Sequence, residues 1–322
     1  MFDKFRKLSG FATEFFYDMV SYVRYCGISP MQDANLRRSY KILIEAHALE
    51  KGLSLSDPRP FFGTAKIRFL MAELDKYSDA PSTLQHTMVA GVLNAYLDTH
   101  RNWGLDAPIL AEIEAYTTAR PIKSKEVAAG GLRHLPGAYD HTGRTPSEFL
   151  ASRFSNRELS DSPLDIKQIE TLVALAQTAP SQCNRQSSHA HFYQDRQQIK
   201  RLLELQGGAS GFAERVGNLF VIASDLAAWG GAQQRNQPYV DGALFAMSLL
   251  YACHANGIAA CPLNLAISHR QDRRIKQAGD IPVDQRLTMM IAVGAPKDAN
   301  HPKAAGSPRR PVAEVFHPHL SA

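Results

Sequence analysis

Arg153-Phe154-Ser155-Asn156-Arg157 is the stretch from which the reading of this chain starts. Two arginines at i and i+4 with a hydroxyl between them can grip a phosphate dianion through charge-assisted, bidentate hydrogen bonds. Such strings are also common on solvated surfaces, so the pentapeptide gains meaning only from its surroundings. Just downstream, Asp165 with Gln168 reads as a capping box and Leu164 with Ile169 as a hydrophobic staple. Ile166, Ile169, Leu172, Val173 and Ala176 then supply one apolar helix face. That helix stops at Ala179-Pro-Ser-Gln-Cys-Asn184-Arg-Gln186, a loop that offers backbone amides, a hydroxyl and carboxamides as donors and acceptors.

Further on, helices and strands mix. Ser188 to Gln194 reads as a strand, Gln197 to Leu205 as a helix, and Leu219 to Ala223 as an apolar strand. Asp241 to Asn256 is apolar almost all round, which predicts a buried central helix stopped by Gly257. Gly257-Ile-Ala-Ala-Cys-Pro262-Leu-Asn264-Leu leaves that helix, Leu287 to Val293 is a further buried strand, and Ser307-Pro-Arg309-Arg310-Pro311 adds late arginines. Helices on a mostly antiparallel sheet make an α+β arrangement.

The first half reads differently. Phe2, Phe5, Leu8, Ala12, Phe15, Phe16, Met19 and Val23 form an amphipathic helix, expected to pack on its own domain or on a dimer mate. Contact of that helix with a membrane surface is the less favoured reading. Further helices are expected over Asn35 to Glu50 and Pro81 to His100, with a turn-rich loop from Gly52 to Gly63 between them. Gly130 to Ser147 has little periodicity and reads as a linker. The division is therefore 1–144, helical, and 145–322, α+β.

Over 322 residues, 44% hydrophobic and 21% charged composition is that of a folded chain with room for one large domain or two ordinary ones. A formal charge of +5 with no long basic run suits a few arginines aimed at a bound phosphate and argues against nucleic acid. Cys26, Cys183, Cys253 and Cys261 form no CxxC and read as reduced thiols. Lys4, Arg6, Lys7, Glu14, Asp18 and Arg24 interrupt the start, which reads as neither signal peptide nor membrane span. A cytoplasmic protein is expected.

In order and spacing, the elements at 153–157, 179–186, 257–265 and 307–311 resemble the nitroreductase family of flavoproteins, across essentially all of 145–322. His47-Ala-Leu-Glu50-Lys51-Gly52-Leu53-Ser54 also looks like a string found in a subgroup associated with polysaccharide-biosynthesis genes. The resemblance implies a dimeric FMN-binding fold. Arg153, Ser155 and Arg157, helped by Arg309, would hold the FMN phosphate and ribityl chain. Pro180, Ser181, Gln182 and Asn184 would reach the flavin from the partner subunit. Pro262, Leu263, Asn264 and Leu265 would line the isoalloxazine, with backbone amides stabilising charge near N5. No side chain need act as acid or base, because the cofactor carries the chemistry.

The implied activity is oxidoreduction from NADH or NADPH to a small organic acceptor by a ping-pong cycle. Alternatives are an oxidase or desaturase on a sugar or peptide intermediate, or a non-catalytic scaffold in a polysaccharide-assembly complex. Met247-Ser248 and Ser187-Ser188 replace the Gln-Asn and Pro-Trp of many relatives, and Leu265 replaces a frequent glycine. The second change alters the substrate-side wall, so nitroaromatic reduction does not carry over. His189 with His191, and His317 with His319, lack a third ligand and make no metal site. Cys183 and Cys261 read as small buried fillers more readily than as a redox pair. His47, Glu50, Lys51 and Arg59 form either a substrate group or a solvated helix end.

Overall fold

The computed structural model describes residues 2–77, 84–120 and 130–320, with side chains from residue 9 onward. Its helices are α1 (Phe2–Tyr25), α2 (Ala34–Leu53), α3 (Thr64–Asp75), α4 (Leu84–Asn102), α5 (Pro108–Ala119), α6 (Pro146–Ser152), α7 (Ile166–Ala176), α8 (Arg196–Gln206), α9 (Gln237–Ala255) and α10 (His269–Gly279). Its strands are β1 (Leu132–His134), β2 (Ser188–Tyr193), β3 (Asn218–Asp225), β4 (Ala259–Asn264), β5 (Gln285–Gly294) and β6 (Lys303–Ala305). Pro81 to Thr83, the expected start of the α4 helix, and the side chains of Phe2, Phe5 and Leu8 lie outside the described residues. The chain divides into one compact unit of Met1–Met19 with Leu135–Pro302 and another of Val20–His134 with Lys303–Ala322.

The first unit is built on a four-stranded antiparallel sheet of order β2-β3-β5-β4. β3 is buried along almost its whole length, as its unbroken Leu-Phe-Val-Ile-Ala run demands of a central strand. Ile169 and Leu172 of α7 meet Phe245, Ala246 and Leu249 of α9 over Phe220, Ile222, Ile291 and Val293 of the sheet. Gly242 lets α9 lie close on β5: a Cβ there would stand 2.4 Å from Thr288 Oγ1.

β4 falls in the stretch expected only to leave the buried helix and line the flavin. It is an edge strand, with Ala260 opposite Val293 and Pro262 opposite Ile291 of β5. An edge is where a residue without an N–H is tolerated. α9 departs from the expected all-round burial. Asp241, Phe245, Ala246, Leu249 and Cys253 are buried, whereas Val240 (48% exposed), Leu244 (41%) and Met247 (36%) form an open apolar stripe. Apolar composition signals that a face will be covered, but not whether the cover comes from the same chain. The expected capping box at α7 is also different: Asp165 Oδ1 accepts from Lys167 N at 2.9 Å. α1 is fastened through Glu14 and Asp18 to Arg235, at 3.0 and 2.7 Å, and leaves Phe15, Phe16, Tyr17 and Met19 exposed. Among the described residues no helix is long and apolar enough to cross a membrane.

The second unit is a helical bundle whose core joins Ile42, Leu49, Ile67, Leu70, Val92, Leu93, Tyr96 and Ile113. Asp33 caps α2, accepting from Leu36 N at 2.7 Å. Within Gly130 to Ser147, β1 pairs antiparallel with β6, and α6 begins at Pro146. The Gly52–Gly63 loop folds onto its own unit: Phe61 and Phe62 pack against the core, and Tyr96 OH donates to Phe62 O at 2.9 Å.

Candidate active site

α6 begins with a capping box that the sequence reading overlooked. Thr145 Oγ1 accepts from Glu148 N at 3.3 Å, and Glu148 Oε2 accepts from Thr145 N at 2.8 Å. The helix ends at Arg153, where the backbone turns extended, and the next residues are stitched to the sheet. Asn156 N donates to Ala260 O at 3.0 Å, Lys297 N to Glu158 O at 2.9 Å, and Ser160 N to Ala295 O at 2.8 Å. Residues two apart on a strand point their backbone groups to the same side. Pro262 therefore turns its missing N–H toward this same edge, and the structure brings 153–157 alongside β4. Glu158 neutralises Arg215 at 3.0 Å. Arg157 is buried, and its Nη1 has no hydrogen-bond partner among the described residues.

Beside Arg153 stands a histidine that sequence reasoning missed. Ser152 Oγ donates to Phe149 O at 2.8 Å and lies 2.8 Å from His254 Nε2. A hydroxyl has one proton to give, so the His254 ring donates to it and carries its proton on Nε2. His141 Nε2 donates to the His254 carbonyl at 2.8 Å. Burial first, and then the nearby His141, Arg153 and Arg144, push His254 down to about 4. The imidazole next to Arg153 is thus neutral and adds no competing charge. A lone histidine near the end of an apolar helix gives no sequence signal of such a role.

The Pro180–Asn184 loop is fixed at the other end of α9. Gln182 N donates to Asp241 Oδ2 at 3.1 Å, and Asp241 also accepts from Gln237 Nε2 at 2.8 Å. Ser181 Oγ accepts from Gln186 N at 3.0 Å. Cys183, Asn184 and Gln186 all take left-handed backbone angles, with φ of 54°, 54° and 49°. Three such residues so close together store strain of the kind found at ligand clamps. The expected carboxamides are engaged within the loop, Gln182 with Arg185 at 3.2 Å and Asn184 with Gln186 at 3.2 Å. Cys183 is exposed here, against its expected burial, whereas Cys261 is buried.

Asp241 and His254 stand thirteen residues apart on one helix, which is about 20 Å at 1.5 Å per residue. Within one chain the structure therefore joins 153–157 to β4 but keeps Pro180–Asn184 away from them. Pro262 and Leu265 are half-buried, Leu263 is buried and Asn264 exposed. Asn264 Oδ1 accepts from Ala266 N at 3.1 Å, and its carbonyl accepts from Gln206 Nε2 at 2.9 Å. Arg309 belongs to the other unit, where its Nη1 donates to Ser307 O at 2.5 Å.

In that unit Glu50 is fully buried, which corrects the solvated-helix-end reading. It accepts from Gly131 N at 2.9 Å and Ser307 N at 3.1 Å, and its Oε2 lies 3.0 Å from His47 Nδ1. Gly306 permits this approach, since a Cβ there would lie 2.9 Å from Glu50 Oε1. His189 and His191 are tied to Asp225 at 2.8 Å and Gln285 at 2.7 Å. No group of three or more metal-ligating side chains occurs among the described residues.

Residues 150–219 match the Nitroreductase family. The helices on an antiparallel sheet are accordingly a nitroreductase-like fold. Among solved structures, NfrA2 of B. megaterium is similar at 20% identity, covering 55% of this chain and 74% of its own, with a TM-score of 0.47. A nitroreductase family protein of Streptococcus pneumoniae is similar at 17% identity, covering 54% and 100%, with a TM-score of 0.47. An FMN-dependent nitroreductase of Clostridium difficile is similar at 18% identity, covering 47% and 87%, with a TM-score of 0.41. No curated protein matches the sequence.

Proposed function

We propose that this protein is an FMN-dependent oxidoreductase whose 145–322 segment binds the cofactor and which passes electrons from NADH or NADPH to a small organic acceptor as a homodimer. The observation that carries the reading is the buried Arg157, whose Nη1 finds no partner among the described residues. A buried cation without a partner costs several kcal/mol, about 3–5 when a pair has been broken. A phosphate dianion would offset that penalty, with the Arg153 guanidinium and the Ser155 hydroxyl beside it in sequence. The donor set fits FMN. The family match over 150–219 supports an oxidoreductase of the same broad kind.

Bound FMN would supply two-electron transfer, one substrate leaving before the next arrives. The chain's own residues bind and orient it. Arg153, Ser155 and Arg157 take the phosphate and ribityl chain, while Pro262, Leu263, Asn264 and Leu265 form the wall beside the ring. Pro180, Ser181, Gln182 and Asn184 would come from a second copy. The open stripe of Val240, Leu244 and Met247 runs from the Asp241 end of α9 to its middle. Two copies with antiparallel α9 helices and a two-fold axis beside Met247, at the inner end of that stripe, would bring the Asp241 end of one to the His254 end of the other.

Purification tests the reading directly. The protein should be yellow or take up FMN, and anaerobic NADH or NADPH should bleach it. A protein that takes up no FMN sinks the proposal. A flavin-saturated monomer in sedimentation would sink the dimer alone.

A further inference from the structure

We propose that the groove between α8 and α10 receives a phosphate monoester of the electron donor, the 2′-phosphate of NADPH, so that the enzyme prefers NADPH to NADH. The inference rests on the oxidoreductase reading above and names its donor. The groove has a volume of about 340 Å³ and is lined by Arg201, Glu204, Leu205, Gln271, Arg274 and Gln277. α8 and α10 run antiparallel, since Gln271 Nε2 donates to Leu205 O at 3.5 Å and Gln198 Nε2 to Ala278 O at 3.1 Å. Arg201 and Arg274 consequently face each other across the groove.

Neighbouring cations are already committed: Arg196 to Asp161, Lys200 to Glu214 at 3.0 Å, and Lys276 to Asp272 at 2.8 Å. Arg201 and Arg274 have no ion pair among the described residues, and both are exposed. Glu204 is the carboxylate in the lining, while Arg270 and Arg273 flank it on α10. The local balance is positive, and two guanidiniums converging on one opening are a fork for a dianion.

Position ties the groove to the redox site. Gln206, the last residue of α8, donates to Asn264 O at 2.9 Å. Arg201 lies five residues back along α8, about 8 Å at the helical rise. A nicotinamide placed against Pro262–Leu265 therefore has the arginine fork within the span of the rest of the dinucleotide. Chemistry at the ring and recognition of the distant phosphate would be divided between β4 and the helix pair.

The test uses the full chain and two probes, 2′,5′-ADP and 5′-AMP, which differ by the phosphate in question. Titration calorimetry should show 2′,5′-ADP binding more tightly. Arg201→Ser and Arg274→Ser should each weaken it about tenfold, the loss of one charge-assisted contact, and leave 5′-AMP unchanged. Arg196→Ser, an equal change of net charge at a committed arginine, should alter neither. Equal binding of the two probes, or a double variant that keeps the difference, overturns the groove assignment even if nucleotides bleach the flavin. Anaerobic bleaching then separates the two claims. NADPH should bleach at lower concentration than NADH, and the double variant should abolish that difference. If the arginine-dependent binding of 2′,5′-ADP holds but neither nucleotide bleaches the flavin, the groove stands and the oxidoreductase reading falls.

Discussion

Replacing Arg157 by methionine separates a phosphate ligand from a merely buried cation. Methionine keeps an unbranched apolar stem in the buried position and removes the guanidinium whose Nη1 is without a partner among the described residues. Without FMN the variant should be as stable as the parent or more so, because exchanging a buried charge for apolar volume is neutral or gains up to about 4 kcal/mol. With FMN the order should reverse. Losing one charge-assisted contact costs about 2–3 kcal/mol, a weakening of roughly 30- to 150-fold. At FMN a thousandfold above the parent's Kd, the ligand adds about 4 kcal/mol of stability; a hundredfold weaker Kd leaves about 1.4 kcal/mol. Ligand stabilisation should thus fall by almost 3 kcal/mol, about 6–10 °C in melting temperature at 2–4 °C per kcal/mol. Differential scanning fluorimetry with and without FMN reads both halves. A variant that is clearly less stable without FMN, yet binds it as tightly as the parent, would show that Arg157 serves packing and would refute the phosphate assignment.

Glu50→Ala should destabilise the helical unit by about 3–5 kcal/mol, since it strands the buried Gly131 and Ser307 N–H groups; urea unfolding monitored by circular dichroism checks this, and a change below 1 kcal/mol would contradict it. His254 is held near 4 in the folded chain against 6.5 ordinarily, so the unfolded chain takes up its proton first. Stability should be full above about pH 7 and fall by up to about 3 kcal/mol between pH 6.5 and 4. His254→Asn should flatten that slope, and an unchanged pH profile would remove His254 from the account. Leu244→Glu with Met247→Glu places two carboxylates on the open stripe of α9; the expected result is a folded monomer in sedimentation with weakened FMN binding, and a persisting dimer would place the interface elsewhere.

The core of the sheet was legible because burial writes itself into composition. The unbroken apolar run at Leu219–Ala223, and the run at Leu287–Val293 interrupted only by Thr288, are the signature of largely buried strands, and both are strands of the sheet. β4 escaped because Gly257 and Pro262 read as loop punctuation, although an edge strand accepts proline. β1 and β6 are three residues each and join segments some 170 positions apart, a pairing without local pattern. The arginine pair could be seen at 153–157, but not the lone Nη1 of Arg157 or the neutral His254, since both arise from tertiary neighbours. Glu50 showed only as one charge among several near a turn. Its burial depends on N–H donors from Gly131 and Ser307, which no window around residue 50 contains.

Strain and cover account together for the arrangement at α9. The Pro180–Asn184 loop holds left-handed residues and is tied to the buried Asp241 through Gln182 N. At the far end, Arg157 keeps a buried guanidinium with an unmatched nitrogen. From the Asp241 end to the middle of the helix runs the exposed apolar stripe of Val240, Leu244 and Met247. Each feature alone is a local penalty. Placed along one helix, they would share one resolution in the proposed dimer, a second copy crossing antiparallel and a phosphate bound beside Arg157.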